Sequence, residues 1–109
     1  MRILLRSKIY NIKVTDAVQK YEGSITIDAG LMEAANIAEY EQVHVLDVTN
    51  SKRFVTYALK GKEGEVCVNG AAALLVNIGD DLIVLAYEIA DTSSRLDIID
   101  GQKFRSTNA

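Results

Sequence analysis

A chain of 109 residues, 49% of them hydrophobic, is long enough for one domain with its own core and too short for two. Fifteen acidic against twelve basic residues give a net charge of −3, which argues against nucleic acid as a partner, because phosphate binding asks for a basic face. No apolar run reaches membrane-spanning length, and the early Ile-Leu-Leu is too short for a signal core, so a cytoplasmic protein without membrane contact is expected.

Arg2, Arg6, Lys8 and Lys13 all precede the first acid, Asp16. That distribution suits a solvated first strand or the cationic wall of a site for an acidic small molecule. Apolar residues then recur mostly with period two, in short runs over 8–14, 24–28, 43–45, 53–59, 65–68, 81–87 and 96–99, so a mainly β fold is expected. Two short helices interrupt the strands. In the first, Asp28 can cap the start, Leu31, Ala34 and Ala35 share one face, and Asn36 can take the left-handed stop position. In the second, Asn69 opens and Asn77 closes a similar segment. Residues 1–90 are expected to form the barrel domain, and 91–109 an extension with one strand and a frayed tail.

The two helical segments belong to an internal repeat. Gly23, Ile25, Ile27, Asp28, Asn36, Ile37 and Val43 match Gly64, Val66, Val68, Asn69, Asn77, Ile78 and Val84 at one constant offset, 64 − 23 = 41. Neither half could bury its apolar face alone, so two halves closing on each other about a pseudo-twofold axis are expected. A small closed barrel also removes exposed strand edges.

The chemistry-bearing side chains are few. Cys67 is the only cysteine, which excludes an intrachain disulfide, and its place between Val66 and Val68 suits a structural thiol on the opposite strand face. His44 is the only histidine, and nothing at catalytic spacing supports a metal site or a Ser-His triad around it. Gly23-Ser24 stands directly before an alternating strand. As a structural element it is a turn glycine followed by a polar strand entrance. As chemistry, a serine hydroxyl held against the preceding glycine carbonyl can attack its own backbone.

Four stretches in this order, "SKIY", "YEGSITID", "TNSKRFVTY" and "VNGAAA", resemble the bacterial aspartate 1-decarboxylases, small pyruvoyl enzymes that make β-alanine for pantothenate synthesis. The resemblance covers residue 1 to about residue 87. It implies a double-psi β-barrel with short helices, a homotetramer, and L-aspartate as substrate. It also implies that Ser24 attacks the Gly23 carbonyl, that the resulting ester breaks by β-elimination, and that a covalent pyruvoyl group remains, which forms a Schiff base with the substrate. Neither metal nor pyridoxal phosphate is then needed. Thr56 is implied to stabilise the oxyanion of that rearrangement, and Tyr57 to protonate the carbanion after CO2 leaves. Arg53 and Lys8 would hold the two substrate carboxylates, in either assignment. Asn69, Ala71, Ala72 and Ala73 would lie close to the pyruvoyl, and Tyr21 would help to shape the site.

Read without the resemblance, the same positions have plainer roles. Thr56 and Tyr57 are ordinary strand residues, Arg53 is a solvated edge residue, and "NGAAA" is a helix start. The chain departs from the family pattern at Tyr10 and Asn11, where His and Arg are usual, at Ser51, where Gly is usual, and at Leu74, where a basic or polar residue is common. A maturation partner could assist cleavage. A competing reading is a non-enzymatic β-barrel or swapped-hairpin module that binds DNA or a protein.

Overall fold

The computed structural model describes residues 1–19 and 22–108. Its elements run β1 (Arg2–Lys13), β2 (Asp16–Val18), β3 (Ser24–Asp28), α1 (Ala29–Ala34), β4 (Gln42–Asp47), β5 (Arg53–Gly61), β6 (Val66–Asn69), a 3-10 helix (Gly70–Leu75), β7 (Asp81–Ala90), β8 (Asp97–Asp100) and α2 (Gly101–Asn108). The strands form one sheet in the order β2-β6-β3-β5-β4-β7-β1-β8. Between β1 and β2 the chain stays bonded to its neighbours through Val14 N to Asp80 O and Thr15 N to Val66 O, which carries it from β7 across to β6.

The 41-residue repeat is visible in the pairing. β3 and β6 are antiparallel with Ile25 opposite Val68, Ile27 opposite Val66 and Thr26 opposite Cys67, so residues 26 and 67, themselves 41 apart, face each other across the local axis. The same holds for β4 and β7, where His44 stands opposite Leu85. β5 runs parallel to β3 and antiparallel to β4. In the other half the work is divided, β2 running parallel to β6 and β1 antiparallel to β7. Each half thus lends its strands to the other, and the core lies between them, built from Ile9, Ile25, Ile27, Val43, Val45, Val68, Leu82 and Val84, all fully buried.

The first helix behaves as its sequence implies. Asp28 Oδ1 accepts N–H bonds from Gly30 and Leu31, and Asn36 stops the segment with φ of 58°. The second segment differs: it is a 3-10 helix ending at Leu75, entered through Gly70 with φ of 77°, and Asn77 lies beyond it. Strand β1 starts at Arg2 rather than at residue 8, because β7 runs alongside its whole length, from Ala90 opposite Arg2 to Asp81 opposite Lys13. Cys67 does not lie on an open face. β6 is covered on both sides, and Val66, Cys67, Val68 and Asn69 are all buried.

The frayed tail is corrected outright. β8 pairs in parallel with β1, and residues 101–108 form α2. Asp100 Oδ1 accepts N–H bonds from Gln102 and Lys103, and these bonds, led by that of Lys103, hold the Asp100 carboxyl below its ordinary range. Gly101 fits where a Cβ would collide with Ile12. Phe104 packs on the core, and Arg105 Nη2 pairs with buried Asp28 at 3.1 Å. Among the described residues no helix is long and apolar enough to cross a membrane.

Candidate active site around Ser24

Ser24 is the first residue of β3, set between β6 and β5, and only 2% of it is exposed. The antiparallel register places it opposite Asn69. On the other side Ile25 pairs with Ala58, so one step back along the parallel strands Ser24 is level with Tyr57. Asn69 Nδ2 donates to Ser24 Oγ at 3.0 Å and to Thr26 Oγ1 at 3.1 Å. Its other end is also held, since Cys67 Sγ donates to Asn69 Oδ1 at 3.3 Å. Burial, with the negative charges of Asp16 and Glu65 adding, pushes the Cys67 thiol up.

A cavity of about 410 Å³ opens at this point, lined by Glu22, Ser24, Tyr57, Leu59 and Asn69. A small amino acid fits such a volume. Among the described residues its lining holds one charged side chain, Glu22, and no cation. Tyr57 and Leu59 reach it because β5 alternates, sending 53, 55, 57 and 59 to one side. Gly23, next to Ser24, has open space where a Cβ would stand and no left-handed φ. The fold therefore does not demand glycine there.

The other expected residues lie elsewhere. Arg53 is on the same face of β5 as Tyr57, four residues earlier, about 13 Å along the strand at 3.3 Å per residue. Its guanidinium is exposed and contacts His44 Nδ1 at 3.1 Å and the Tyr87 hydroxyl at 3.3 Å. Lys8 is on β1 opposite Leu85, which is itself opposite His44. Its ammonium stands 5.8 Å from the Tyr10 ring centre. Paired residues share a sheet face, so Lys8, His44, Arg53 and Tyr87 all belong to the outer surface of β1-β7-β4-β5. Ile3, Val55 and Ile89 are exposed on that surface.

Thr56 is half-buried opposite Val43, on the other face of β5 from Tyr57. Ala71 is exposed, Ala72 half-buried and Ala73 buried, and none of the three lines the Ser24 cavity. Tyr21 lies outside the described residues. Glu22, Leu59 and the Cys67 contact were not singled out from sequence. Leu59 was within reach, since it continues the period of Arg53 and Tyr57. Among the described residues no group of three His, Cys, Asp or Glu side chains could hold a metal ion.

The family model described as aspartate decarboxylase matches residues 1–100. Aspartate 1-decarboxylase of Campylobacter curvus (strain 525.92) is 57% identical over 88 residues, covering 80% of this chain and 76% of that one. Aspartate 1-decarboxylase of Syntrophus aciditrophicus (strain SB) is 51% identical over 92 residues, covering 83% and 79%. Among solved structures, the rationally designed protein mkDPBB_sym_86 superposes with a TM-score of 0.50 at 17% identity, covering 71% of this chain and 91% of that one. That likeness concerns the fold alone, a double-psi β-barrel, and agrees with the exchanged strands of the two halves. The motifs around Ser24, the barrel and a match running through residues 1–100 converge on one assignment: the chain belongs to the aspartate decarboxylase family.

Proposed function

We propose that the chain is a self-processing decarboxylase that converts L-aspartate to β-alanine and CO2. The observation that carries this is a buried serine hydroxyl, directly after Gly23, held by Asn69 at the wall of a cavity sized for an amino acid. Ser24 Oγ attacks the Gly23 carbonyl carbon, the peptide C–N bond breaks as the ester C–O bond forms, and the hydroxyl proton passes to the nitrogen. Elimination across Cα–Cβ then releases the Gly23 carboxylate, and water replaces the α-nitrogen, which leaves as ammonia. The Asn69 N–H meets the charge left on Oγ as its proton departs, before that charge passes to the Gly23 carbonyl oxygen. Thr56, which precedes Tyr57 on β5, is the proposed donor to the Gly23 oxyanion.

Ser24 fits as the precursor of a pyruvoyl group, since its backbone starts a strand at the cavity wall and its Oγ is already hydrogen-bonded. Such a group supplies the electron sink that decarboxylation requires. The chain's own residues then bind the substrate and handle its protons. Tyr57 lines the cavity and holds the proton that the product carbon takes up. Among the described residues the cavity lining has no cation, while Lys8 and Arg53 stand on an outer face that also exposes Ile3, Val55 and Ile89. We therefore place the carboxylate-binding Arg53 and Lys8 in a neighbouring copy, docked by that face in a homotetramer. The family relatives give no support to a DNA-binding module.

A denaturing intact-mass spectrum tests the chemistry. Two fragments divided between Gly23 and Ser24 are expected, the larger reacting with carbonyl reagents. Ser24→Ala should give one uncleaved chain that releases no CO2 from aspartate, and normal CO2 release from that variant would overturn the proposal. Cleavage that begins only when cell extract is added would identify a maturation partner.

A further inference from the structure

Asn69 makes its contacts through an amide that could be turned either way. The hydroxyls of Ser24 and Thr26 each donate or accept, so by themselves they tolerate the carbonyl oxygen or the amide nitrogen. The third contact breaks the tie. Cys67 is two residues before Asn69 on the same face of β6, directly opposite Thr26, and the residue is 6% exposed. Burial keeps the thiol protonated, and its S–H donates to the amide oxygen, whereas the sulfur would accept only weakly from the amide nitrogen.

We infer that Cys67 is a positioning residue for self-cleavage: its thiol fixes Asn69 with the amide nitrogen toward Ser24 Oγ. In that orientation the Ser24 proton is free to leave, and the charge left on Oγ faces an N–H until it passes to the Gly23 carbonyl oxygen. With the amide reversed, the serine proton is tied to the carbonyl oxygen, and negative charge on Oγ would face that oxygen. The inference rests on the reading of Ser24 as the cleavage nucleophile.

The test follows the rate of cleavage by intact mass in the wild-type chain, Cys67→Val and Cys67→Ser. Valine keeps the packing volume and cannot donate, whereas serine restores a donor. Cys67→Val should cleave about tenfold more slowly, the size expected for one hydrogen bond, and Cys67→Ser should recover most of the rate. A Cys67→Val chain that cleaves at the wild-type rate overturns the inference. Wild-type chain that never cleaves overturns the underlying reading first, and the inference with it. Should Cys67→Val also melt earlier, the Asn69 side-chain amide resonances of the uncleaved Ser24→Ala chain decide: they should shift on adding Cys67→Val and return with Cys67→Ser, and an absence of shift overturns the inference.

Discussion

Asp47 and Asp80 are both buried, 1% and 6% exposed, and their carboxyls interact. Asp47 Oδ1 accepts N–H bonds from Thr49 and Asn50 in the turn that leads to Arg53, and Oδ2 has no partner among the described residues. A proton on Asp47, donated to Asp80, satisfies that oxygen. Burial first, then the Asp80 contact, raise the Asp47 carboxyl, while the same contact and the Asn77 N–H lower Asp80. The signs oppose each other. Stability from Asp80 is present above its unfolded value and lost as pH falls through its lowered folded one. The Asp47 contribution is present below its unfolded value and lost as pH rises through its raised folded one. Asp47→Asn keeps the two accepted N–H bonds and replaces the shared proton with an amide N–H. The variant should melt at or above the wild-type temperature at neutral pH, and its melting temperature should lose the decline that accompanies Asp47 ionisation. A lower melting point with an unchanged pH profile would sink this account. None of it was legible in sequence, where Asp47 and Asp80 stand 33 residues apart in unremarkable turns. Ser24 and Asn69 were legible because their motifs are local. The Cys67 contact was not, because it depends on cross-strand pairing, and a cysteine between valines looks like packing alone.

At the scale of elements, α2 shows where local patterning is too weak to read. Its residues offer one aromatic, Phe104, and no apolar stripe, so the segment resembles a loose end. Tertiary partners make the helix: the Asp100 cap, the close seat of Gly101 on Ile12, and Arg105 reaching Asp28 and Glu63. The Asp28 contact ties α2 to the strand that Ser24 begins, because Asp28 ends β3, caps α1 and also accepts the Gly64 N–H at 2.7 Å. Arg105→Ala removes one of four partners of a buried carboxylate, and the arginine is partly exposed, so a cost of about 1–2 kcal/mol is expected. Urea unfolding should show the lowered midpoint with an unchanged slope, and amide exchange should rise over α2 before it rises over the barrel strands. Equal protection of α2 in the variant would mean that the Asp100 cap, Gly101 and Phe104 hold the helix without Arg105. Strand β5 was read more easily, since "RFVTYAL" is rich in β-branched and aromatic residues and has no turn residue.

For the whole molecule, the repeat was legible because a constant offset of 41 needs no knowledge of pairing, and the register of β3 on β6 and of β4 on β7 follows from it. How the site is divided among molecules was not legible, since a sequence motif gives the parts without saying which copy supplies each. The geometry sets Ser24 and Tyr57 at a cavity whose described lining has no cation, and sets Lys8 and Arg53 on an outer face. If Arg53 serves the cavity of a neighbouring copy, two inactive variants can repair each other. Ser24→Ala chains keep Arg53, and Arg53→Ala chains keep Ser24. Co-expressed in equal amounts and assembled at random, they should place an intact Ser24 beside an intact Arg53 in about one quarter of the sites, restoring about a quarter of wild-type CO2 release. Either variant alone should be inactive or nearly so. Arg53→Ala should still be cleaved between Gly23 and Ser24, because its side chain is far from the serine. Were Arg53 to act within its own chain, every mixed site would lack one of the two residues and the co-expressed pair would stay inactive. The readout thus distinguishes a shared site from a self-contained one without requiring that the assembly be counted first.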